Sequence, residues 1–112
     1  MKIVTEKITL KELDEMAKNM FGNLVKAVVD IEKKIMVVNG ELHADEEALL
    51  IKNGSEQKNL WGINLYPEMK EDFIEYDSMI NIRPFMGNKT RGIENELIKN
   101  KILKVVNQLI SK

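Results

Sequence analysis

The sequence predicts an α+β fold: a mainly antiparallel sheet of about four to six strands, with an N-terminal and a C-terminal helix packed on one of its faces. Two segments near the chain ends carry apolar residues at helical spacing, and the segments between them alternate apolar and polar residues as strands do. Because those strands are separated by short turns, we expect antiparallel pairing. A length of 112 residues is typical of one domain, so residues 1–112 are expected to form a single domain.

The N-terminal helix begins at residues 9–12, whose sequence Thr-Leu-Lys-Glu fits a capping box. In that motif the side chains of the Thr and the Glu each accept a hydrogen bond from the other residue's backbone N–H. Apolar residues then recur on one face over residues 10–21. Gly22 suits the left-handed residue that ends many helices. The preceding pair Ile3 and Val4 predicts a short edge strand.

A hairpin is predicted over residues 24–38. Residues 24–31 are rich in β-branched side chains, and residues 35–38 form a second apolar run. Residues 32–34, Glu-Lys-Lys, supply the turn between them. One face of the first strand carries Val25, Ala27, Val29 and Ile31.

Residues 47–51 fit either a helix or a strand. Asp45 is suited to cap a helix that starts here. Asn53-Gly54 is instead the strongest pair for a two-residue hairpin turn, and residues 60–66 behind it alternate as a strand does. We therefore favour strand, turn and strand, with Trp61 on the core side of the second strand.

Residues 73–83 form the longest alternating stretch and predict another strand. Its apolar face carries Ile74, Tyr76, Ile80 and Ile82, and the opposite face carries Glu75, Asp77, Asn81 and Arg83. Pro84 ends the strand because it has no N–H for the ladder.

The C-terminal helix is predicted at about residues 93–110, after a loop at residues 85–88. Thr90 is the candidate N-cap. The helix would present an apolar stripe of Ile98, Ile102, Val105, Val106 and Leu109.

Composition excludes several classes of site. The chain has no cysteine, which rules out disulfides, zinc–thiolate centres and cysteine nucleophiles, and its one histidine rules out multi-histidine metal sites. We expect no cofactor and no bound metal. No signal-peptide-like or membrane-spanning run is present, so a cytoplasmic location is the expectation.

Charge is uneven along a chain whose net charge is −1. Residues 39–79 carry ten acidic and three basic groups, whereas residues 80–112 carry seven basic and two acidic groups. The charges of these two segments can neutralise each other across the folded surface, or the basic C-terminal segment can bind an anion. A nucleic-acid partner is not expected, because dedicated binders show a basic excess.

The segment 41–45, Glu-Leu-His-Ala-Asp, is the first candidate site. In an extended chain Glu41, His43 and Asp45 project to the same side. His43 is then a candidate general base with Asp45 as its orienting acid, so both are candidate catalytic residues. A mixed nitrogen and oxygen metal site and a plain loop histidine remain open as alternatives.

Arg83 is the second candidate, because the chain has only two arginines among 17 basic residues and the guanidinium fork matches carboxylate or phosphate. The alternative is an ion pair with a neighbour such as Asp77. Asn81 shares the predicted face of Arg83, and Asn64 projects from its strand opposite Trp61. We expect Asn64, Asn81 and Arg83 to bind the ligand, with His43 nearby on one polar surface.

A third candidate is the loop of residues 87–92, Gly-Asn-Lys-Thr-Arg-Gly, which precedes the C-terminal helix. Its backbone N–H groups with Lys89 and Arg91 could hold an anion, or the loop could be an ordinary cap and turn. The spacing of a nucleotide-binding P-loop is absent.

Three strings carry a resemblance to a known family: residues 41–45, residues 60–67 and residues 81–84 with Gly87-Asn88. Together they resemble an uncharacterised bacterial and archaeal family of unknown function and similar length. The resemblance runs from about residue 24 to the C-terminus, and the N-terminal helix fits it more loosely. The family has no assigned activity, so the resemblance implies no catalytic role for any residue.

Three functions follow from these observations. The favoured one is a domain that binds a small anionic ligand in a polar pocket, with weak hydrolytic chemistry in addition. The alternatives are a non-catalytic protein-interaction domain and a small toxin-like enzyme that acts on RNA. The expected partner is a small anionic molecule or a protein, not a membrane, and assembly with further copies of the chain stays open.

Overall fold

The computed structural model describes residues 1–111, and this part of the chain is α+β with three α-helices and a five-stranded antiparallel sheet. The helices are α1 (Leu10–Asn19), α2 (His43–Lys52) and α3 (Glu96–Leu109). The strands are β1 (Lys2–Val4), β2 (Ile8–Thr9), β3 (Val25–Asp30), β4 (Ile35–Val38), β5 (Leu60–Leu65), β6 (Ile74–Glu75) and β7 (Ile110–Ser111). Short 3₁₀ turns lie at Gln57–Asn59, Met79–Asn81 and Pro84–Met86.

The sheet has the order β1-β4-β3-β5-β6, so β3 lies at its centre. The predicted hairpin is present: β3 and β4 pair antiparallel with Val28 opposite Val37. Asp30 forms the turn, because its Oδ1 accepts from the backbone N–H groups of Glu32 and Lys33. The pair predicted at the N-terminus forms edge strand β1, and β2 and β7 make a separate parallel pair.

Helix α1 begins with the capping box that the sequence predicts, in which the Thr9 side chain and the Glu12 carboxylate bond reciprocally. Helix α3 has a different cap from the predicted Thr90. The Asn95 side chain accepts from the backbone N–H groups of Leu97 and Ile98. An Asn is as good an N-cap as a Thr, and here it stands directly before the helical turn.

The strand and hairpin turn predicted over residues 47–54 are wrong, because α2 occupies this segment. Asn53-Gly54 ends the helix instead of turning a hairpin. The N–H of Ser55 donates to the carbonyl of Leu50 and the N–H of Gly54 to that of Ile51, which is a Schellman motif. Gly54 alone has a positive φ, 98°, whereas a type I′ turn needs two such residues.

The strand predicted over residues 73–83 is wrong except at β6. After β6 the chain enters a 3₁₀ turn capped by Ser78. The predicted faces are inverted at its end, because Asn81 is fully buried whereas Ile82 is 40% exposed. Asn81 points inward because its side chain hydrogen-bonds to the backbone of Gly62.

Buried apolar side chains form two clusters. The larger joins Trp61 and alternate residues of β3 to Leu13 and Ala17 of α1 and to residues of α3, which are Ile102, Val105, Val106 and Leu109. The prediction that Trp61 is buried is confirmed, since 1% of it is exposed. The second cluster contains Val28, Val37, Leu50 and Leu60. Leu50 belongs to α2, so this helix covers a part of the sheet for which the sequence predicted no covering helix.

None of the helices within residues 1–111 combines the length and the apolar character needed to cross a membrane.

Candidate functional site

His43 is the first residue of α2 and ties that helix to the sheet. Its Nε2 lies 2.8 Å from the backbone carbonyl oxygen of Ile63 in β5. A carbonyl oxygen can only accept, so Nε2 carries the proton and donates it. In the neutral ring the lone pair is therefore on Nδ1, which has no hydrogen-bond partner among residues 1–111.

A cleft of about 180 Å³ opens beside His43, between the start of α2 and the 3₁₀ turn at Met79–Asn81. Three nitrogen-bearing side chains line it: Lys26, His43 and Arg91. The remaining walls are formed by Leu42, Ala44, Ser78, Met79 and Ile80. The cleft thus combines basic groups with an apolar rim.

Lys26 and Arg91 reach the cleft from different parts of the chain. Lys26 stands in β3 opposite Asn64 of β5. The backbone of Arg91 is held because its carbonyl accepts from the N–H of Ser78 and from Nδ2 of Asn81. The guanidinium of Arg91 donates to Asp77 over 2.6 Å, so one positive charge is already compensated.

Burial lowers the pKa of His43 below its usual 6.5, and the positive charges of Lys26 and Arg91 lower it further. The hydrogen bond to Ile63 and the charge of Asp77 oppose this shift in the pKa. The net effect favours the neutral ring when no ligand is bound. A bound anion would supply the negative charge that favours its protonated form.

Helix α2 adds a second electrostatic feature to the cleft. Its N-cap residue Leu42 gives no side-chain hydrogen bond to the first turn. The first N–H groups of a helix lack intrahelical partners and carry a partial positive charge. Leu42, His43 and Ala44 all line the cleft, so this end of the helix borders it.

The expectation that Glu41, His43 and Asp45 share one side is wrong, because residues 43–45 are helical. Two residues along a helix correspond to a rotation of roughly 200°, so Asp45 points away from His43. Asp45 is exposed and does not line the cleft. The structure therefore brings no orienting acid to His43 from this segment.

Arg83 lies in a different place from the predicted polar surface. It is 4% exposed, its Nη2 contacts Oε2 of Glu47 at 3.1 Å, and its guanidinium carbon stands 4.8 Å from the centre of the Trp61 ring. Its acidic partner belongs to α2 and not to the predicted neighbours in sequence. Burial lowers the pKa of Arg83, and the charge of Glu47 opposes that shift in the pKa.

Asn81 completes the edge of the sheet beside Gly62. Its Oδ1 accepts from the N–H of Gly62 at 2.8 Å, and its Nδ2 donates to the carbonyl of Gly62 at 2.9 Å. One side chain thus replaces a neighbouring strand at this point of β5. Both polar atoms of this amide are engaged by backbone groups, since Nδ2 also donates to the carbonyl of Arg91.

Asn64 is also held by protein partners. Its Nδ2 donates to Glu75 at 2.8 Å and contacts the carbonyl of Asp77 at 3.4 Å. Its Oδ1 is buried and has no donor. Asn64 therefore braces β5 against β6 next to Lys26, without lining the His43 cleft.

His43 and Arg83 do not share a cleft, although Arg83 contacts α2 on the face that carries His43. Glu47, the partner of Arg83, lies one helical turn after His43. Arg83 does not line the His43 cleft, whereas Lys26 and Arg91 do.

Nothing in the sequence marks Lys26 as a cleft residue, because it stands in an apolar strand and resembles any other lysine of the chain. Arg91 was predicted only as part of the loop 87–92.

The side chain of Asn88 organises that loop through four hydrogen bonds. Its Nδ2 donates to the carbonyls of Asn81, Thr90 and Gly92, and its Oδ1 accepts from the N–H of Glu94. The loop thereby fixes the position of Arg91 at the cleft.

Glu46 is a buried carboxyl that no pattern in the sequence singles out. Its Oε2 accepts from the N–H of Gly40 at 3.0 Å, and a Cβ on Gly40 would lie 2.5 Å from the Glu46 side chain. Burial raises the pKa of Glu46 to about 9, against the opposing effects of Gly40 and Lys26 on that pKa. At neutral pH this residue is therefore protonated and adds no negative charge near Lys26.

Within residues 1–111, no three His, Asp or Glu side chains are grouped so that they could hold a metal ion.

A family model matches most of the chain. The model of a family described as a protein of unknown function, DUF5674, matches residues 2–109. The match includes the N-terminal helix, which the resemblance in the sequence covered only loosely. No curated protein and no solved structure matches the chain.

Proposed function

The chain belongs to the DUF5674 family of proteins of unknown function, and we propose, from the geometry of its own residues, that it binds a small anionic molecule in the cleft beside His43. The observation that carries the proposal is the convergence of Lys26, His43 and Arg91 on one cleft at the start of α2. All three side chains donate hydrogen bonds in their charged forms, and none accepts. The complementary ligand group is therefore a phosphate, sulfate or carboxylate.

Lys26 supplies the charge in this arrangement. Arg91 is neutralised in part by Asp77, and Glu46, protonated at neutral pH, does not oppose Lys26. The N-terminal turn of α2 adds backbone N–H groups at the same place, a common setting for an anion. The cleft is therefore positive without needing a basic excess in the whole chain.

His43 makes the binding depend on pH. A neutral His43 keeps a lone pair on Nδ1 and does not donate from that atom to an anion. Protonation turns Nδ1 into a second charged donor. Because burial and two neighbouring cations lower the pKa of His43, this donor appears at a lower pH than in an unperturbed histidine unless an anion is already bound.

The apolar wall limits the size and kind of ligand. Leu42, Met79 and Ile80 border the basic groups, and the volume is about 180 Å³. That volume accommodates an anionic head group with a short apolar portion. Weak hydrolysis of a bound ester would use Nδ1 of His43 as base, since Asp45 does not orient the ring.

Isothermal titration calorimetry with sulfate and with acetate tests the proposal. We expect saturable binding that weakens by about tenfold in Lys26→Gln and in Arg91→Gln, because each loses one charged donor. Lys89→Gln is the matched control, because Lys89 is an exposed lysine two residues from Arg91 that does not line the cleft.

Affinity that is equal in all four proteins would contradict the proposal, as would binding that Lys89→Gln weakens as much as Arg91→Gln does. Equal loss in all three variants would indicate a diffuse effect of surface charge and no defined site.

A further inference from the structure

A second cavity, of about 640 Å³, lies between α3 and residues 69–76, a stretch of chain that includes β6. Leu103 and Asn107, in the C-terminal half of α3, form one of its walls. None of its lining residues belongs to the His43 cleft. Its volume lies within the range of small-molecule sites.

Apolar side chains form most of the walls. Phe73, Ile74 and Tyr76 are half-buried and pack against the larger core cluster, so this side of the cavity is anchored to the body of the protein. Met69 and Leu103 are 44% and 42% exposed and complete the apolar surface. Together these side chains offer a concave apolar surface that a ligand can cover.

Two opposite charges border the same cavity. Lys70 and Asp72 both line it, and both are exposed, so their charged groups are accessible to a ligand. Neither of them takes part in the ion pairs found within residues 1–111. An ammonium only donates hydrogen bonds and an ionised carboxylate only accepts them, so the two residues call for different ligand groups.

Charge complementarity therefore selects the type of ligand. A molecule with a single charge is attracted by one of the two residues and repelled by the other, whereas a zwitterion is attracted by both. An α-amino acid carries an ammonium and a carboxylate on one carbon atom. An apolar side chain on that carbon supplies the surface that Phe73, Tyr76 and Leu103 would cover.

We propose that this cavity binds an α-amino acid with a large apolar side chain, whose carboxylate contacts Lys70 and whose ammonium contacts Asp72. The proposal is independent of the anion site, because the two sites have no residue in common and this ligand has no net charge.

Four probes separate the contributions of the ligand groups: phenylalanine, phenethylamine, 3-phenylpropanoate and glycine. Binding is followed in proton–nitrogen correlation spectra, where phenylalanine should give saturable shifts of the backbone amides of residues 69–76. Phenethylamine and 3-phenylpropanoate should each bind about fivefold more weakly, because each lacks one exposed charge pair. Glycine should bind at least about tenfold more weakly, because it lacks the apolar side chain.

Variants assign each charge to its residue. Lys70→Gln should lower phenylalanine affinity about fivefold without lowering phenethylamine affinity, because phenethylamine has no carboxylate. Asp72→Asn should likewise weaken phenylalanine but not 3-phenylpropanoate, which has no ammonium. Asn tolerates the positive φ of 53° at position 72 as Asp does, so this variant changes the charge and keeps the backbone.

Glu71→Gln is the matched control. Glu71 is exposed and stands between the two residues in sequence, but it does not line the cavity. Its loss should leave the affinity of every probe within about twofold. A Glu71→Gln effect as large as that of Lys70→Gln or Asp72→Asn would overturn the proposal, because the charges would then act through the surface in general.

Equal affinities of phenylalanine and its two singly charged analogues would also overturn it, as would a glycine affinity equal to that of phenylalanine. The ring resonances of His43 report on the anion cleft in the same samples. Phenylalanine shifts that appear at His43 and not at residues 69–76 would place the ligand in the anion cleft and contradict the second site.

Discussion

The imidazole of His43 donates a hydrogen bond from Nε2 to the carbonyl oxygen of Ile63 over 2.8 Å. This contact joins the first turn of α2 to β5, a strand whose residues are all buried. It also fixes the tautomer of the ring, and so leaves Nδ1 as the nitrogen on which a ligand can act. One hydrogen bond thus serves both the packing of α2 and the chemistry of the cleft.

His43→Ala should lower the free energy of unfolding by about 1–2 kcal/mol, because the carbonyl of Ile63 loses its side-chain donor in a half-buried position. Urea denaturation followed by circular dichroism measures the change. Asp45→Ala, an exposed change in the same helix, should cost less than about 0.5 kcal/mol. Equal effects of the two changes would show that the His43 hydrogen bond contributes nothing to stability.

Asn81→Leu should destabilise the protein by about 3 kcal/mol or more, because the new side chain has similar volume but leaves the N–H and C=O of Gly62 unpaired in the interior. Ile82→Ala is the control, because Ile82 is 40% exposed and should lose well under about 1 kcal/mol. Thermal unfolding measures the melting temperatures of the two variants. A larger decrease for Ile82→Ala than for Asn81→Leu would contradict the role of Asn81 in pairing the backbone of Gly62.

Glu46 predicts a specific dependence of stability on pH. Its pKa is raised to about 9 in the folded protein, so the folded state holds a proton that the unfolded state releases above about pH 4.5. The free energy of unfolding should therefore fall as the pH rises between these two values, by at most about 1.4 kcal/mol per unit from this group. Below that window both states are protonated and the contribution is constant.

Glu46→Gln should remove this slope and raise the stability at pH 7, since Gln keeps an acceptor for the N–H of Gly40 and has no proton to lose. Urea midpoints across the window measure the difference between the two proteins. Asp45→Asn, an exposed change on the same helix, controls for the loss of one acidic residue. Parallel pH profiles for Glu46→Gln and the unaltered protein would contradict the burial of a protonated carboxyl.

Arg83→Lys should destabilise the fold by about 1–3 kcal/mol, because Lys keeps the charge but loses the planar group that lies on Trp61 and contacts Glu47. Sulfate affinity at the His43 cleft should stay within about twofold, since Arg83 does not line that cleft. A large loss of sulfate affinity with an unchanged melting temperature would assign Arg83 to the ligand instead.

Local signals in the sequence were enough for much of the fold. The capping box at Thr9, the hairpin of β3 and β4, and the burial of Trp61 each depend on contacts or alternation within a few residues, and the structure has all three. The hairpin turn predicted at Asn53-Gly54 was wrong because the same pair suits both a hairpin turn and the end of a helix. The residues before the pair decide which of the two forms, and residues 47–51 fit both a strand and a helix.

The residues around the proposed cleft were harder to predict, because their positions depend on contacts between distant parts of the chain. Asn81 looks like a surface residue in an alternating stretch, yet its amide bonds to Gly62. Lys26 and Arg91 meet His43 only after β3, α2 and the loop 87–92 are packed together. No short-range pattern carries that information, so composition and spacing selected Arg83 and Asp45, which the structure keeps out of the cleft.

The central claim is that the His43 cleft is an anion site, and the titration of His43 tests it most directly. His43 is the only histidine, so its ring resonances can be followed by NMR across the pH range without ambiguity. Without ligand its pKa should lie below 6.5, because burial and the charges of Lys26 and Arg91 disfavour the charged ring. Saturating sulfate should raise that pKa, and the rise should shrink in Arg91→Gln but not in Lys89→Gln. A pKa of His43 that is the same with sulfate and with chloride at matched ionic strength would contradict the account.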